Sequence, residues 1–399
     1  MKRRHFIQTT MATGLGAGAS VFPANQAVAK PQEKEKPKYR AGIIGLGWMG
    51  LLYDLAERIP DRFDVKDVNR PTPQLDVHRR IHHHTHPGNE GLPTSYAEAL
   101  WDRPEVDLVA GGERDQKRLK VFGERYGIQA LYTDGIEMMR KENLDIVAIC
   151  TNTRGRAYLT IKAAELGAKA IFTEKPMAHS LEEADQMVKI CADRGISLCC
   201  GAITTTHPSF ANAKQLIQSG AIGEVVSIEA SGPSAQHQNW SYFVDSAPAW
   251  VIGIGDSPRR ESGSDEFTGQ GIMVTKGGQM VHFRKGAPGI RLNGSQGEIS
   301  YHSGAWHLLQ NSDTPAGKQR VPMPWPEPQF VPPYGAVYCL ADILDCLEGK
   351  LDEPKNSGRR VAIALEVEIA LKQSAKQGGV RVDLPLKDRS LRLNYSWFR

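Results

Sequence analysis

The chain has 399 residues, 40% of them apolar and 24% charged. That is an ordinary globular composition and excludes a fibrous or intrinsically disordered protein. At roughly 150 residues per domain it is long enough for two domains or three. A formal charge of +4 gives a nucleic-acid partner no support, and no run of about 20 apolar residues marks a membrane span in the mature chain.

Lys2-Arg3-Arg4-His5-Phe6-Ile7 sets paired arginines before an apolar couple. A weakly apolar stretch follows from Met11 to Phe22, and Ala27-Val28-Ala29 gives the small-x-small pattern of a signal-peptidase site. The layout resembles a twin-arginine export signal over residues 1–29, which implies passage through twin-arginine export machinery and a periplasmic or otherwise exported location. Removing Lys2, Arg3 and Arg4 lowers the formal charge from +4 to +1. Residues 30–38 read as a charged linker. Cys150, Cys191, Cys199, Cys200, Cys339 and Cys346 lie in apolar patterns without paired ligand spacing, so they are expected to be buried free thiols.

Ala41–Ile44 is a short apolar strand leading into Gly45-Leu46-Gly47-Trp48-Met49-Gly50, a G-x-G-x-x-G turn followed by a helical pattern. Such a turn seats a pyrophosphate at a helix N-terminus: Gly45 permits the tight bend, Gly47 the close approach of the ligand, and Gly50 the close packing of helix on strand. The acid expected to grip the adenosine ribose has two candidates, Asp67 behind a possible strand Phe63–Val68 and Glu113 at the end of Val106–Gly112. Glu113 is preferred because the helix Gln116–Tyr126 and Gly127 follow it, which makes roughly residues 62–104 an insertion. A carboxylate there favours NAD, while the adjacent Arg114 leaves NADP open.

Leu144–Cys150 is the next strand and ends in Thr151-Asn152-Thr153. Helix Ala157–Leu166 follows, then the strand Ala170–Phe172 ending in Glu174-Lys175-Pro176. Ser180 and Glu183 form a capping box for a further helix, and Ile196–Cys200 closes the set. Alternation of this kind specifies an N-terminal doubly wound parallel sheet, a Rossmann domain over residues 39–205. In the second half, Val225–Ala230, Ile272–Thr275, Met280–Arg284, Gly289–Asn293 and Glu298–His302 read as strands without intervening helices. They predict an open, largely antiparallel sheet in an α/β domain of residues 206–399. A helix is expected around Lys214–Ser219, others at Ala336–Leu347 and Val361–Ala375, and a last strand at Val380–Leu384.

Gly45–Gly50, Glu113, Thr151-Asn152-Thr153, Glu174-Lys175-Pro176 and Ser219-Gly220-Ala221-Ile222-Gly223-Glu224 occur in that order. Together they resemble the Gfo/Idh/MocA oxidoreductases, with the E-K-P element the most specific motif. The resemblance implies NAD(P)-linked hydride transfer to or from a hydroxyl or carbonyl of a sugar, cyclitol or related polyol. It also implies a homodimer or homotetramer formed through the open sheet. Lys175 would meet the nicotinamide and the reacting hydroxyl, Glu174 would orient Lys175 and the nicotinamide ribose, and Thr151 and Asn152 would line that half of the cleft.

The family's usual Asp and His, four residues apart in the second domain, are not both present. His237 aligns with the His, but Pro233 takes the place of the Asp. His237 is the candidate base and Tyr242 the second candidate, against a loop histidine with no role. His78, His82, His83, His84 and His86 crowd the insertion, but Arg79 and Arg80 among them oppose a cation and no metal site is assigned. Trp325, Phe330 and Tyr334 are available to stack on sugar faces or to pack a connecting loop.

An exported Rossmann enzyme has no maintained nicotinamide pool outside the cytoplasm. It is therefore expected to carry its cofactor bound and to return it to its starting redox state. A redox-neutral NAD-dependent glycosidase and a non-catalytic sugar-binding relative remain the alternatives.

Overall fold

The computed structural model describes residues 38–52, 95–201, 204–234, 239–257, 265–287, 289–302, 304–326 and 336–394. The export signal, Asp67 with its possible strand, the histidines from His78 to His86, His237, Phe330 and Tyr334 lie outside those residues.

Strands β1 (Tyr39–Ile44), β2 (Val106–Gly112), β3 (Ala130–Tyr132), β4 (Ile146–Ile149), β5 (Ala170–Thr173) and β6 (Ser197–Cys200) form one sheet in the order β3-β2-β1-β4-β5-β6. Every pairing in it is parallel. Successive residues serve opposite faces. Ile44, Val147, Ile149 and Ile171 enter one apolar core, and Ile43, Ile146, Ala148, Ala170 and Phe172 enter the other. Both faces are thus covered, which is why these strands read as continuous apolar runs. Among the described residues, the helices of this half are α1 (Tyr96–Asp102), α2 (Gln116–Tyr126), α3 (Gly135–Glu142), α4 (Arg156–Glu165) and α5 (Leu181–Asp193). Ser180 caps α5 by accepting from the Glu183 N–H, while Glu183 accepts from the His179 N–H.

Helix α6 (Pro208–Gln218) leads into a second sheet of nine strands: β7 (Val225–Ala230), β8 (Pro248–Ile254), β9 (Gln270–Thr275), β10 (Met280–Phe283), β11 (Ile290–Gly294), β12 (Gly297–His302), β13 (Ala305–Thr314), β14 (Gly317–Met323) and β15 (Val382–Asp383). Their order is β14-β13-β12-β11-β7-β10-β9-β8-β15, antiparallel except for β7 against β10. Helices α7 (Ala336–Leu347) and α8 (Gly358–Lys376) lie between β14 and β15 in the chain. The fold is therefore the expected Rossmann sheet with a second, mostly antiparallel sheet.

Two details differ from the sequence reading. The insertion ends earlier than residue 104, because α1 is part of the Rossmann core: Tyr96, Ala97, Ala99 and Leu100 are fully buried there. Helix α7 belongs to the C-terminal half by sequence but packs on β5, β6 and α1. Its apolar stripe of Cys339, Leu340, Ile343 and Leu344 closes the same core. All six cysteines are free thiols, and no helix among the described residues is long and apolar enough to cross a membrane.

Candidate active site

The carboxyl ends of β1, β2, β4 and β5 lie side by side at one edge of the parallel sheet. A cleft of about 1000 Å³ opens there, lined in part by Gly45, Gly47, Glu113, Arg114, Thr151 and Asn152. Gly45 takes a left-handed φ of 92° and turns the chain out of β1. A side-chain carbon on Gly47 would meet nothing within 4 Å, whereas one on Gly50 would collide with the Gly45 carbonyl oxygen. Gly47 thus leaves room at the cleft and Gly50 closes the turn on itself, the division of labour of a dinucleotide-binding turn. Trp48–Leu52 forms a single π-helical turn, with Trp48 and Met49 half-buried against the core below.

Glu113 stands just past β2 and closes the turn from the other side. One carboxylate oxygen accepts from the Leu46 N–H at 2.7 Å and the other from the Asp115 N–H at 3.1 Å. Each oxygen keeps a second acceptor position, so the grip on the turn leaves the acid able to receive a ribose hydroxyl. Arg114 is exposed at the rim. Arg118, which the sequence reading passed over, also lines the cleft and lies 4.0 Å from Glu113. The open space at Gly47 and the available acid fit a nicotinamide dinucleotide.

At the end of β5, Glu174 is 5% exposed. Tyr96 donates to one of its oxygens at 2.9 Å, and the Lys175 backbone N–H donates to the other at 2.8 Å. Lys175 is partly buried, and its side chain lies over Gly201 at the end of β6. Burial holds the Lys175 ammonium below the usual lysine range. Glu174 and Glu266 oppose that effect, and Arg156 adds to it. Arg156 itself is 1% exposed and donates to the carbonyls of Thr151 and Pro176.

Tyr96, Arg156 and Glu266 were not singled out from the sequence. The signal for Tyr96 was Ser95-Tyr96-Ala97-Glu98, a capping pattern in which the Glu98 N–H indeed bonds to the Ser95 hydroxyl. The signal for Arg156 was a cation in the first turn of a helix, where the helix dipole disfavours it. Glu266 had none.

Tyr242 does not line the cleft described above, and neither do Glu174 and Lys175. Tyr242 lies in a short 3₁₀ turn, Trp240–Phe243, packed edge-on against Phe243 and flanked by the Lys214 and Arg360 cations at 5.0 and 5.3 Å. Burial pushes its phenol up to about 12, unsuited to taking a proton near neutrality. Trp325 is stacked on Trp306 with centroids 5.0 Å apart, so that face of its ring is covered by protein.

A parallel sheet in this order, with a glycine turn at one strand end and an acid at the next, defines a dinucleotide-binding Rossmann domain. The model of GFO_IDH_MocA, an oxidoreductase family with an NAD-binding Rossmann fold, matches residues 88–202. Curated relatives at 32% identity include two named dehydrogenases. They are a D-apiose dehydrogenase of Paraburkholderia graminis, over 32% of this chain and 34% of that one, and an NAD(+)-dependent scyllo-inositol 2-dehydrogenase of Bacillus subtilis, over 31% and 36%. The chain thus spans about a third of the length of these relatives. An Agrobacterium radiobacter oxidoreductase, solved with NAD+, L-tartaric acid and magnesium, shares the fold across 87% of this chain and 98% of its own. Its TM-score is 0.56 at 18% identity. The matched stretch carries Glu113, Thr151, Asn152 and the Glu174-Lys175-Pro176 element and is similar to an NAD-binding Rossmann fold, which makes NAD the cofactor type.

Proposed function

We propose that the chain is an exported NAD(P)-dependent oxidoreductase that keeps its cofactor tightly bound and acts on a CH–OH group of a sugar, cyclitol or related polyol. The observation that carries this reading is Lys175, partly buried beside Glu174 at the same sheet edge as the glycine turn and Glu113. Relatives named as apiose and inositol dehydrogenases support the substrate class. When bound, NAD(P) would accept or return the hydride. Glu113 would hold the adenosine ribose, and Thr151 and Asn152 would line the nicotinamide half of the cleft.

Lys175 has the chemistry for the proton. With its ammonium destabilised by burial, the neutral amine is accessible nearer physiological pH than in a surface lysine, and it can take the hydroxyl proton as the C–H bond breaks. In the reverse direction the ammonium returns that proton to the developing alkoxide. Lys175→Met removes the proton carrier while keeping an unbranched stem. Turnover with inositols and aldoses is expected to fall by at least about 10²-fold, with NAD+ affinity retained. Wild-type rates in this variant would sink the reading.

Export is supported by Lys2-Arg3-Arg4 and Ala27-Val28-Ala29. Replacing both arginines by lysine is expected to hold the protein in the cytoplasm, read by cell fractionation. Tight cofactor binding is checked by denaturing protein purified without added nucleotide and identifying what is released by mass and absorbance. A protein that is empty and also fails to bind added NAD(P) would remove the oxidoreductase reading.

A further inference from the structure

Arg156 is the first residue of α4 and is 1% exposed. Both its position and its burial are unfavourable for a cation: the helix N-terminus carries a partial positive charge, and desolvation disfavours the charged form. The contacts that compensate are specific. One terminal nitrogen donates to the carbonyl of Thr151, after β4, and the other to the carbonyl of Pro176, after β5. One planar guanidinium therefore ties together the two strand-end turns that carry Thr151 with Asn152 and Glu174 with Lys175. A lysine, with a single point of charge, cannot reproduce that fork.

Its counter-charge is Glu174, whose own oxygens are held by the Tyr96 hydroxyl and the Lys175 N–H. Among the described residues, the charged groups acting on the Lys175 side chain include Glu174 on its own turn, Arg156 from α4, and Glu266 from between β8 and β9. Both neighbours of Glu266 are anchored: the Asp265 N–H bonds to the Asn394 carbonyl and the Phe267 N–H to the Glu368 carboxylate.

We propose that Arg156 is a positioning residue of this site, its buried guanidinium locking the Thr151 and Lys175 turns in register and placing a fixed positive charge behind Lys175. It touches neither substrate nor cofactor in this role and acts through Lys175 and the Thr151 turn. The inference deepens the reading of Lys175 as the proton-handling group and rests on it.

The test reads Lys175 directly, without turnover. The purified full-length chain is pulse-labelled with acetic anhydride from neutral to strongly alkaline pH. The extent of acetylation of the peptide bearing Lys175, followed by mass spectrometry, gives the midpoint of its titration. In the wild type this midpoint is expected below that of the surface lysines. Arg156→Met removes the fixed charge and both carbonyl contacts. The Lys175 midpoint is expected to move up, and NAD+ binding, followed by tryptophan fluorescence, to weaken by about tenfold as the Thr151 turn loosens. Arg156→Lys restores the charge and is expected to return the midpoint downward while leaving NAD+ binding weakened.

A folded Arg156→Met protein in which either quantity is unmoved overturns the proposal. Should that variant fail to fold, Glu174→Gln probes the same charges from the other side: its midpoint is expected to fall below that of the wild type, and an unchanged one overturns the proposal. A chain that oxidises no polyol yet shows these shifts would lose its assigned activity and keep this assignment of Arg156.

Discussion

Gly47 and Gly50 occupy one turn and answer to different constraints. A methyl group on Gly47 meets no protein atom within 4 Å, while one on Gly50 runs into the backbone of Gly45. Gly47→Ala is therefore expected to fold with a stability within about 0.5 kcal/mol of the wild type, yet to lose NAD+ affinity by at least about tenfold by calorimetry. Undiminished affinity would mean that no pyrophosphate sits on this turn. Gly50→Ala should cost about 1–3 kcal/mol in denaturant melts, from overpacking alone. His207 gives a pH test of a different kind. Its Nδ1 accepts from the Ser209 N–H and caps α6, and Ser209 Oγ lies 2.8 Å from the same nitrogen and accepts from the Trp306 indole. Burial pushes His207 down from 6.5 to about 3. The unfolded chain therefore takes up this proton first as the pH falls, and the stability that the neutral ring contributes is lost between those two values. By about pH 4.5 the loss is about 2–3 kcal/mol. His207→Asn keeps a capping acceptor without titrating, so its urea midpoint should fall less than that of the wild type between about pH 7 and about pH 4.5. Equal acid losses in the two proteins would clear His207 of the effect.

Elements whose local chemistry agrees with their surroundings were legible in the sequence. Helix α5 begins after its Ser180 cap, and α2 stops at Gly127 in the left-handed region, because those ends are set by side chains and dihedrals within the element itself. The hairpin of β13 and β14 was not legible. All of β14 is exposed or half-buried at the sheet edge and carries Lys318, Arg320 and Pro322, so no apolar alternation marks it; pairing with β13 alone defines it. The candidate site divides in the same way. Its glycine turn, Glu113 and the E-K-P element are local motifs, whereas Tyr96 reaches Glu174, and Arg156 and Glu266 act on Lys175, only through tertiary packing. The chain end is another contact of that tertiary kind. The Leu393 N–H bonds to the His179 carbonyl and the Leu181 N–H to the Leu391 carbonyl, tying the tail to the loop that runs from Lys175 to α5. Leu393 is 1% exposed. Leu393→Ala is expected to cost about 2–4 kcal/mol and to speed proteolysis near residue 180. A loss below about 1 kcal/mol would mean that the tail docks without strengthening the loop.

At the scale of the whole molecule, the two sheets share more than a linker. Helix α7, late in the chain, closes the Rossmann core, and a single apolar cluster runs from the other face of the parallel sheet into the second sheet. Removing the C-terminal half would therefore unroof the nucleotide-binding half. The second sheet buries one face beneath α8, with Val251, Met273, Val281, Ile228 and Leu292 turned inward. Its opposite face is two-part. Trp250, Ile252, Ile272, Val274 and Met280 alternate with the buried set and are half-buried, and Ile254 is 54% exposed. Beside them Glu229, Arg291, Glu298 and Arg320 form a ladder of ion pairs across the strands. We propose that this apolar field, bordered by ordered charges, is the face through which the dimer or tetramer expected from the family resemblance would form. In sedimentation velocity the chain is expected to run as a dimer or tetramer. Ile272→Asp, which puts a charge among Ile252 and His282 of the neighbouring strands, should convert it to monomer with the parallel-sheet domain still able to bind NAD+. A wild type that sediments as a monomer would leave this face to another partner. An Ile272→Asp protein that stays associated would place the subunit contact elsewhere on the molecule.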